Sequence, residues 1–155
     1  MWLGYYRYFP DSEYNCRTNS KAAQMELVDN KLYVEATDDT PSIIIDGDKR
    51  FVRFEGPSFP ENAVEFYTPY IDTLLSVIPT WKGEIKMEFE FSILSSASNK
   101  VVYELLVRLE NLHAAGADIH IDWIYETYDE DMFDEGSGYK DCLKIPIELI
   151  ERPSE

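Results

Sequence analysis

The sequence predicts a single α/β domain, a two-layer sandwich whose mixed β-sheet carries its helices mainly on one face. Three observations lead there. Residues 84–93 alternate strictly, with Ile85, Met87, Phe89, Phe91 and Ile93 on one side and Glu84, Lys86, Glu88, Glu90 and Ser92 on the other. A central strand covered on both faces would be apolar throughout, so this pattern leaves one sheet face open to water or to a partner. Residues 118–126 repeat the alternation, with Ile119, Ile121, Trp123 and Tyr125 facing inward. Between the two runs lies a helical repeat, and strand–helix–strand crossovers of one hand return each helix to the same side of the sheet.

The elements follow one another closely. Residues 32–36 and 43–46 are short β-rich runs separated by the turn-prone Asp38-Asp39-Thr40-Pro41, and Gly47-Asp48 supplies a tight turn before a third strand over 51–55. Gly56-Pro57 ends that strand. A helix is expected to start near residues 58–61, where Ser58 and Glu61 have the spacing of a capping box. Phe66, Tyr67, Tyr70, Ile71, Leu74, Leu75 and Ile78 recur at helical spacing, Pro69 interrupts the hydrogen bonding, and Pro79 ends the helix. The second helix spans roughly 99–115, with Val102, Leu105, Leu106, Leu109 and Leu112 on its buried stripe and Gly116 at its end. After the acidic stretch 126–135, a weak helix leads to Cys142 and a last strand over 144–150, which Pro146 marks as a sheet edge. The order is β-β-β-α-β-α-β-α-β, and the core is expected to include Ile85, Met87, Phe89, Phe91, Leu105, Leu109, Ile121 and Trp123.

Residues 1–24 differ in kind. They hold Trp2, Tyr5, Tyr6, Tyr8, Phe9 and Tyr14 with no clear period, and a net charge of +1 against −16 for the whole chain. They read as an N-terminal extension to a domain over 25–155: a docking arm, an extra strand or a flexible segment.

The 155 residues suit one domain, and an apolar fraction of 45% builds its core without disulfides or a structural metal. Cys16 and Cys142 are far apart and read as reduced thiols, no signal peptide or membrane span is evident, and the chain is placed in the cytoplasm. The excess of acidic residues repels phosphate backbones and anionic lipid, which argues against nucleic-acid and membrane-surface roles.

Catalytic constellations are not found. The two histidines, His113 and His120, read as a helix C-terminal residue and a solvated partner of Asp118 or Asp122. No zinc-ligand spacing, Walker A motif or dinucleotide fingerprint is present. Glu126, Asp129, Glu130, Asp131, Asp134 and Glu135 lack the spacing of a calcium loop and read as a charged surface. The chain is therefore expected to be no enzyme and to need no cofactor. Ser95-Ser96-Ala97-Ser98-Asn99 stands apart: these residues favour a helix N-cap, and a helix N-terminus also accommodates a phosphate.

Residues 25–150 resemble the SiaC family of bacterial regulatory phosphoproteins. The resemblance rests on residues 32–43, which include Thr40 and Pro41, and on Ser58, Pro60, Glu61, Asn62, Phe66, Tyr67 and Pro69. It continues through the strand–serine–helix unit, Leu112-His113-Ala114-Ala115-Gly116, Asp122-Trp123 and the acidic run. It implies a partner-switching protein with a strand order similar to that of anti-anti-sigma factors (STAS-like domains). It implies phosphorylation by a serine/threonine kinase, removal of the phosphate by a PP2C-type phosphatase, and binding of the unmodified form to a diguanylate cyclase, which raises cyclic-di-GMP and favours biofilm. The family's Asn-Thr-Ser-Ser motif falls on Ser95-Ser96-Ala97-Ser98, which gives Ser96 the phosphoacceptor position and Ser95, Ser96, Ser98, Asn99 and Lys100 the partner-binding surface. Serine here replaces the family's threonine, Ser95 its asparagine and Ala97 its serine, and Thr73 stands where a tryptophan is frequent. A constitutive adaptor and a small acidic metal-dependent enzyme are the competing readings.

Overall fold

The structure, a computed structural model, describes residues 6–8 and 25–154. Strand β1 (Tyr6–Tyr8) pairs antiparallel with β2 (Met25–Leu27) in a two-stranded sheet. The main sheet has six strands in sequential order: β3 (Lys31–Val34), β4 (Ser42–Asp46), β5 (Phe51–Ser58), β6 (Ile85–Leu94), β7 (Ile119–Glu126) and β8 (Ile147–Arg152). Pairing is antiparallel from β3 to β5 and parallel from β5 to β8. The parallel half needs crossovers, and the helices α1 (Ala63–Val77), α2 (Ser96–Ala114) and α3 (Glu130–Cys142) supply them. From β3 onward this is a mixed α/β architecture in the element order expected; β2 precedes it and was not expected. No helix among the described residues is long and apolar enough to cross a membrane.

Of the N-terminal extension only residues 6–8 are described; the rest of it, and with it any docking or flexible role, lies outside the described residues. From β2 the chain enters β3 through Asp29-Asn30, both at positive φ (51° and 63°), with reciprocal backbone bonds between Val28 and Lys31. Two left-handed residues in a row twist a two-residue hairpin in the sense that strands prefer. Met25 is buried against the main core, and its carbonyl lies 3.0 Å from the hydroxyl of Thr73 on α1.

All eight expected core residues are buried, none more than 3% exposed. Phe54, Phe89, Phe91 and Trp123 form a contiguous aromatic layer on the sheet, with Phe54 and Phe89 stacked at 5.2 Å and Phe91 at 5.8 Å from Trp123. Tyr67 of α1, Leu105 and Leu109 of α2, and Met132 and Tyr139 of α3 belong to this same core, so the three helices share one face of the sheet. The opposite face carries ions. Arg53 reaches Glu55 (3.0 Å), Glu88 and Glu90 (2.7 Å), Arg152 reaches Glu90 (2.6 Å), and Lys86 pairs with Asp122 (3.0 Å).

Three local expectations are corrected. The capping box at residues 58–61 does not form: β5 runs on through Gly56-Pro57 to Ser58, and α1 starts at Ala63 with Asn62 as N-cap, its side chain accepting from Glu65 N at 3.1 Å. Strand pairing with β6 is the stronger claim on Ser58, and Gly56 permits it with a φ of +119° that other residues avoid. Ile93 is not in the core but 53% exposed. The register jumps from Gly56–Phe91 to Pro57–Ile93, which leaves Ser92 as an extra residue on β6. One inserted residue reverses the facing of everything beyond it, so Ile93 turns out and Leu94 turns in. Helix α2 begins at Ser96 rather than near 99, which puts the serine run inside its first turn.

Candidate functional site

The start of α2 sits where β5 and β6 end together. Ser95 is the N-cap (φ −66°, ψ 159°), and its Oγ accepts from Ser98 N at 3.1 Å while its carbonyl accepts from Asn99 N at 2.8 Å. Its own N–H donates to the carbonyl of Ser58 at 2.9 Å, so the cap is pinned to the neighbouring strand. The Ser95 side chain thus satisfies the Ser98 amide, one of those a helix leaves unpaired at its start. Ser96 is the first helical residue and is exposed, and its hydroxyl enters no side-chain hydrogen bond among the described residues. Ala97 and Lys100 are exposed beside it.

The other residues of the expected partner surface divide. Ser98 is fully buried, with its Oγ unpaired, so it supports the helix from beneath and offers no contact in this structure. Asn99 is half-buried and engaged with α3: its Nδ2 donates to Glu135 Oε2 at 2.6 Å, and its Oδ1 accepts from the hydroxyl of Tyr139. Among the three serines only Ser96 combines exposure with an unengaged hydroxyl.

The family-motif residues collect behind this site. The Ser58 hydroxyl is buried against that of Tyr67 at 2.6 Å, and burial pushes the Tyr67 phenol well above its usual range. Phe59 N donates to the carbonyl of Asp39 at 2.9 Å, which fastens the loop containing Thr40 and the buried Pro41. In that loop Thr40 N donates to Thr37 Oγ1 at 3.0 Å. Phe66 packs edge-on against Tyr67 at 4.8 Å, Asn62 caps α1, and Pro60 and Glu61 form the short connection between them and the strand. A chain of backbone bonds therefore runs from Asp39 to Phe59 and from Ser58 to Ser95. The motif is a bracket that fixes where the serine run emerges. Exposed apolar side chains flank it: Phe59 at 43%, Ile93 at 53% and Val64 at 63%.

Glu135 and Tyr139 were not expected here. Their sequence signal is faint, because Gly136, Ser137 and Gly138 break the helical pattern of the sequence there, and only the fold brings them to Asn99. Tyr139 is buried, stands edge-on to Trp123 at 5.1 Å, and its phenol is pushed well up by burial and by the Glu135 charge. Of the histidines, His113 Nδ1 lies 2.9 Å from the carbonyl of Ala117 at the end of α2, and His120 Nε2 lies 2.9 Å from Asp118. Among the described residues, no group of three His, Cys, Asp or Glu side chains is placed to hold a metal ion.

An uncharacterised protein of Pseudomonas aeruginosa strain UCBPP-PA14 is 22% identical over 118 residues, covering 76% of this chain and 94% of that protein. The solved structure of SiaC from Pseudomonas aeruginosa superposes with a TM-score of 0.71 at 20% identity, over 79% of this chain and 98% of that one. A chain in the crystal structure of the diguanylate cyclase SiaD in complex with its activator SiaC, also from Pseudomonas aeruginosa, gives 0.73 at 21% identity, over 78% and 99%. The model of the SiaC family of regulatory phosphoproteins matches residues 34–152, and the chain belongs to that family.

Proposed function

We propose that this chain is a phosphorylation-controlled partner switch that binds and regulates a diguanylate cyclase, with Ser96 as the phosphoacceptor. The observation that carries the proposal is the single exposed, unengaged hydroxyl at the first position of α2. A phosphate there would meet the positive end of the helix dipole and the Lys100 ammonium one turn on. It would carry about −1.5 to −2 charges at neutral pH. The helix end tolerates that charge, whereas a partner packed against neutral Ser96 and the apolar Phe59, Ile93 and Val64 does not, because an unpaired dianion is costly to bury. The SiaC–SiaD complex supports a cyclase as the partner class, since SiaC is there the activator of a cyclase.

The rest of the cycle belongs to the same proposal. A serine/threonine kinase adds the phosphate and a PP2C-type phosphatase removes it, in the cytoplasm where ATP and GTP are available. A likeness in strand order to anti-anti-sigma-factor (STAS-like) domains belongs to the same proposal. Ser95, Ser96 and Lys100 form the contact surface, with residues 25–155 as the regulatory domain and 1–24 as its extension.

The test compares unmodified protein with protein carrying phosphoserine at position 96, each mixed with diguanylate cyclases encoded by the same genome. The unmodified form should bind one of them and raise cyclic-di-GMP production, and the phosphorylated form should do neither. Equal binding by both forms would overturn the switch and leave a constitutive adaptor.

A further inference from the structure

One side chain ties the first turn of α2 to α3. Asn99 lies one turn beyond Ser96, and its amide engages both Glu135 and Tyr139, which stand four residues apart on one stripe of α3. Helix α3 has little intrinsic stability. Gly136, Ser137 and Gly138 occupy its middle, and a glycine inside a helix costs about 1 kcal/mol relative to alanine. Glu130, Asp131, Asp134, Glu135 and Asp141 make it strongly acidic, with Lys140 as its one basic residue. Tertiary contacts hold it instead: Met132 is buried, Trp123 Nε1 donates to the Met132 carbonyl at 2.8 Å, and Tyr139 packs between Trp123 and Tyr103. Gly136 allows this approach, since a Cβ at that position would overlap the Trp123 indole.

We infer that the Asn99–Glu135–Tyr139 clasp is the device through which phosphorylation of Ser96 is read, the phosphate releasing α3 from the start of α2. The inference rests on Ser96 being the phosphoacceptor. Ser96, Asn99 and Lys100 share one helix face at i, i+3 and i+4. A phosphate on Ser96 draws the Lys100 ammonium and, as a doubly charged acceptor, competes with Glu135 for the Asn99 amide. The Glu135 carboxylate then loses its donor and faces a like charge. The buried Tyr139 hydroxyl depends on the same amide, and leaving it unpaired is unfavourable. An acidic helix with a glycine-rich middle gives way before the sheet does.

Hydrogen exchange on the full chain, without any partner, tests this. With phosphoserine at 96, amides of residues 132–142 should exchange at least about tenfold faster than in unmodified protein, while those of β5, β6 and β7 stay protected. Unmodified Asn99→Ala should show the same loosening of α3. Glu135→Gln keeps an acceptor for the Asn99 amide but removes the charge, so phosphate should loosen α3 less in that variant. Unchanged α3 protection, either in the phosphorylated protein or in Asn99→Ala, overturns the inference. Cyclase binding measured on the same samples separates it from the proposed function. Phosphoprotein that releases the cyclase with α3 still protected overturns the clasp and leaves the switch; loosened α3 with binding intact overturns the switch and leaves the clasp.

Discussion

The Ser58–Tyr67 pair shows how a residue chosen for one role can be taken by another. Serine followed three positions later by glutamate is a common helix-start signal, and nothing local in the sequence argues against it here. In the fold, Ser58 is fully buried and its hydroxyl meets that of Tyr67, which is only 1% exposed. Each group is the other's partner, so removing one strands a buried polar atom. Ser58→Ala should lower stability by about 1–3 kcal/mol, and adding Tyr67→Phe should recover part of that loss, because two missing polar groups leave nothing unsatisfied. Urea titrations of the two single variants and the double variant would check this; strictly additive losses would show that the pair does not interact. The serine run at the start of α2 was more legible. Its N-capping role followed from residue type alone, but which of the three hydroxyls is exposed depended on the phase of the helix, and that is set by where Ser95 is pinned to Ser58.

At the scale of elements, period-two and period-3.6 patterns located the strands and helices because each side chain there has a fixed side. The pattern fails at the end of β6, where the extra residue Ser92 inverts the facing of Ile93. A bulge is a property of two strands in register, and only the pairing of Pro57 with Ile93 reveals it. The contact between β2 and α1 is of the same kind. Thr73 reads as an ordinary helix residue, yet it is buried, with its hydroxyl 3.0 Å from the Met25 carbonyl and 2.8 Å from that of Pro69. Its single proton has two carbonyl acceptors in reach, one on the strand and one in the helix turn at the proline. Thr73→Val keeps the shape and removes the hydroxyl, so it should cost about 1 kcal/mol and speed exchange in residues 25–27. An unchanged denaturation midpoint would show that the hydroxyl contributes nothing to holding β2.

For the molecule as a whole, charge and burial act on separate faces. The helix-free sheet face carries Arg53 among Glu55, Glu88 and Glu90; burial works against its charge, but the hydrogen bonds and charges of Glu55 and Glu88 outweigh that and raise the already high affinity of its guanidinium for protons. The core face holds two tyrosines, Tyr67 and Tyr139, whose phenols are pushed up chiefly by burial. The pH dependence follows from the sign of these shifts. Folded tyrosines with raised values keep their protons where the unfolded chain begins to lose them, near pH 10. Their stabilisation is therefore complete below that point and lost as the pH climbs above it, at up to about 1.4 kcal/mol per pH unit for each group. Lys86, held charged chiefly by its hydrogen bond to Asp122, acts in the same direction above the ordinary lysine range. Denaturant stability measured from pH 8 to 11 should stay level and then fall, and Tyr67→Phe should make the fall shallower. A decline of equal steepness in that variant would show that Tyr67 is not among the groups responsible.

The sequence by itself determined the element order from β3 onward, the faces of β7 and of β6 as far as Phe91, the core residues and the family, because periodicity and composition are local and each strand or helix carries its own record of which side is buried. The tertiary structure alone decided that Ser58 is a buried strand end, that Ile93 faces outward, that Ser98 is hidden while Ser96 is not, and that Asn99 clasps α3. Each of those facts depends on the meeting of two segments far apart in the chain, and the geometry of such a meeting is written in neither segment separately.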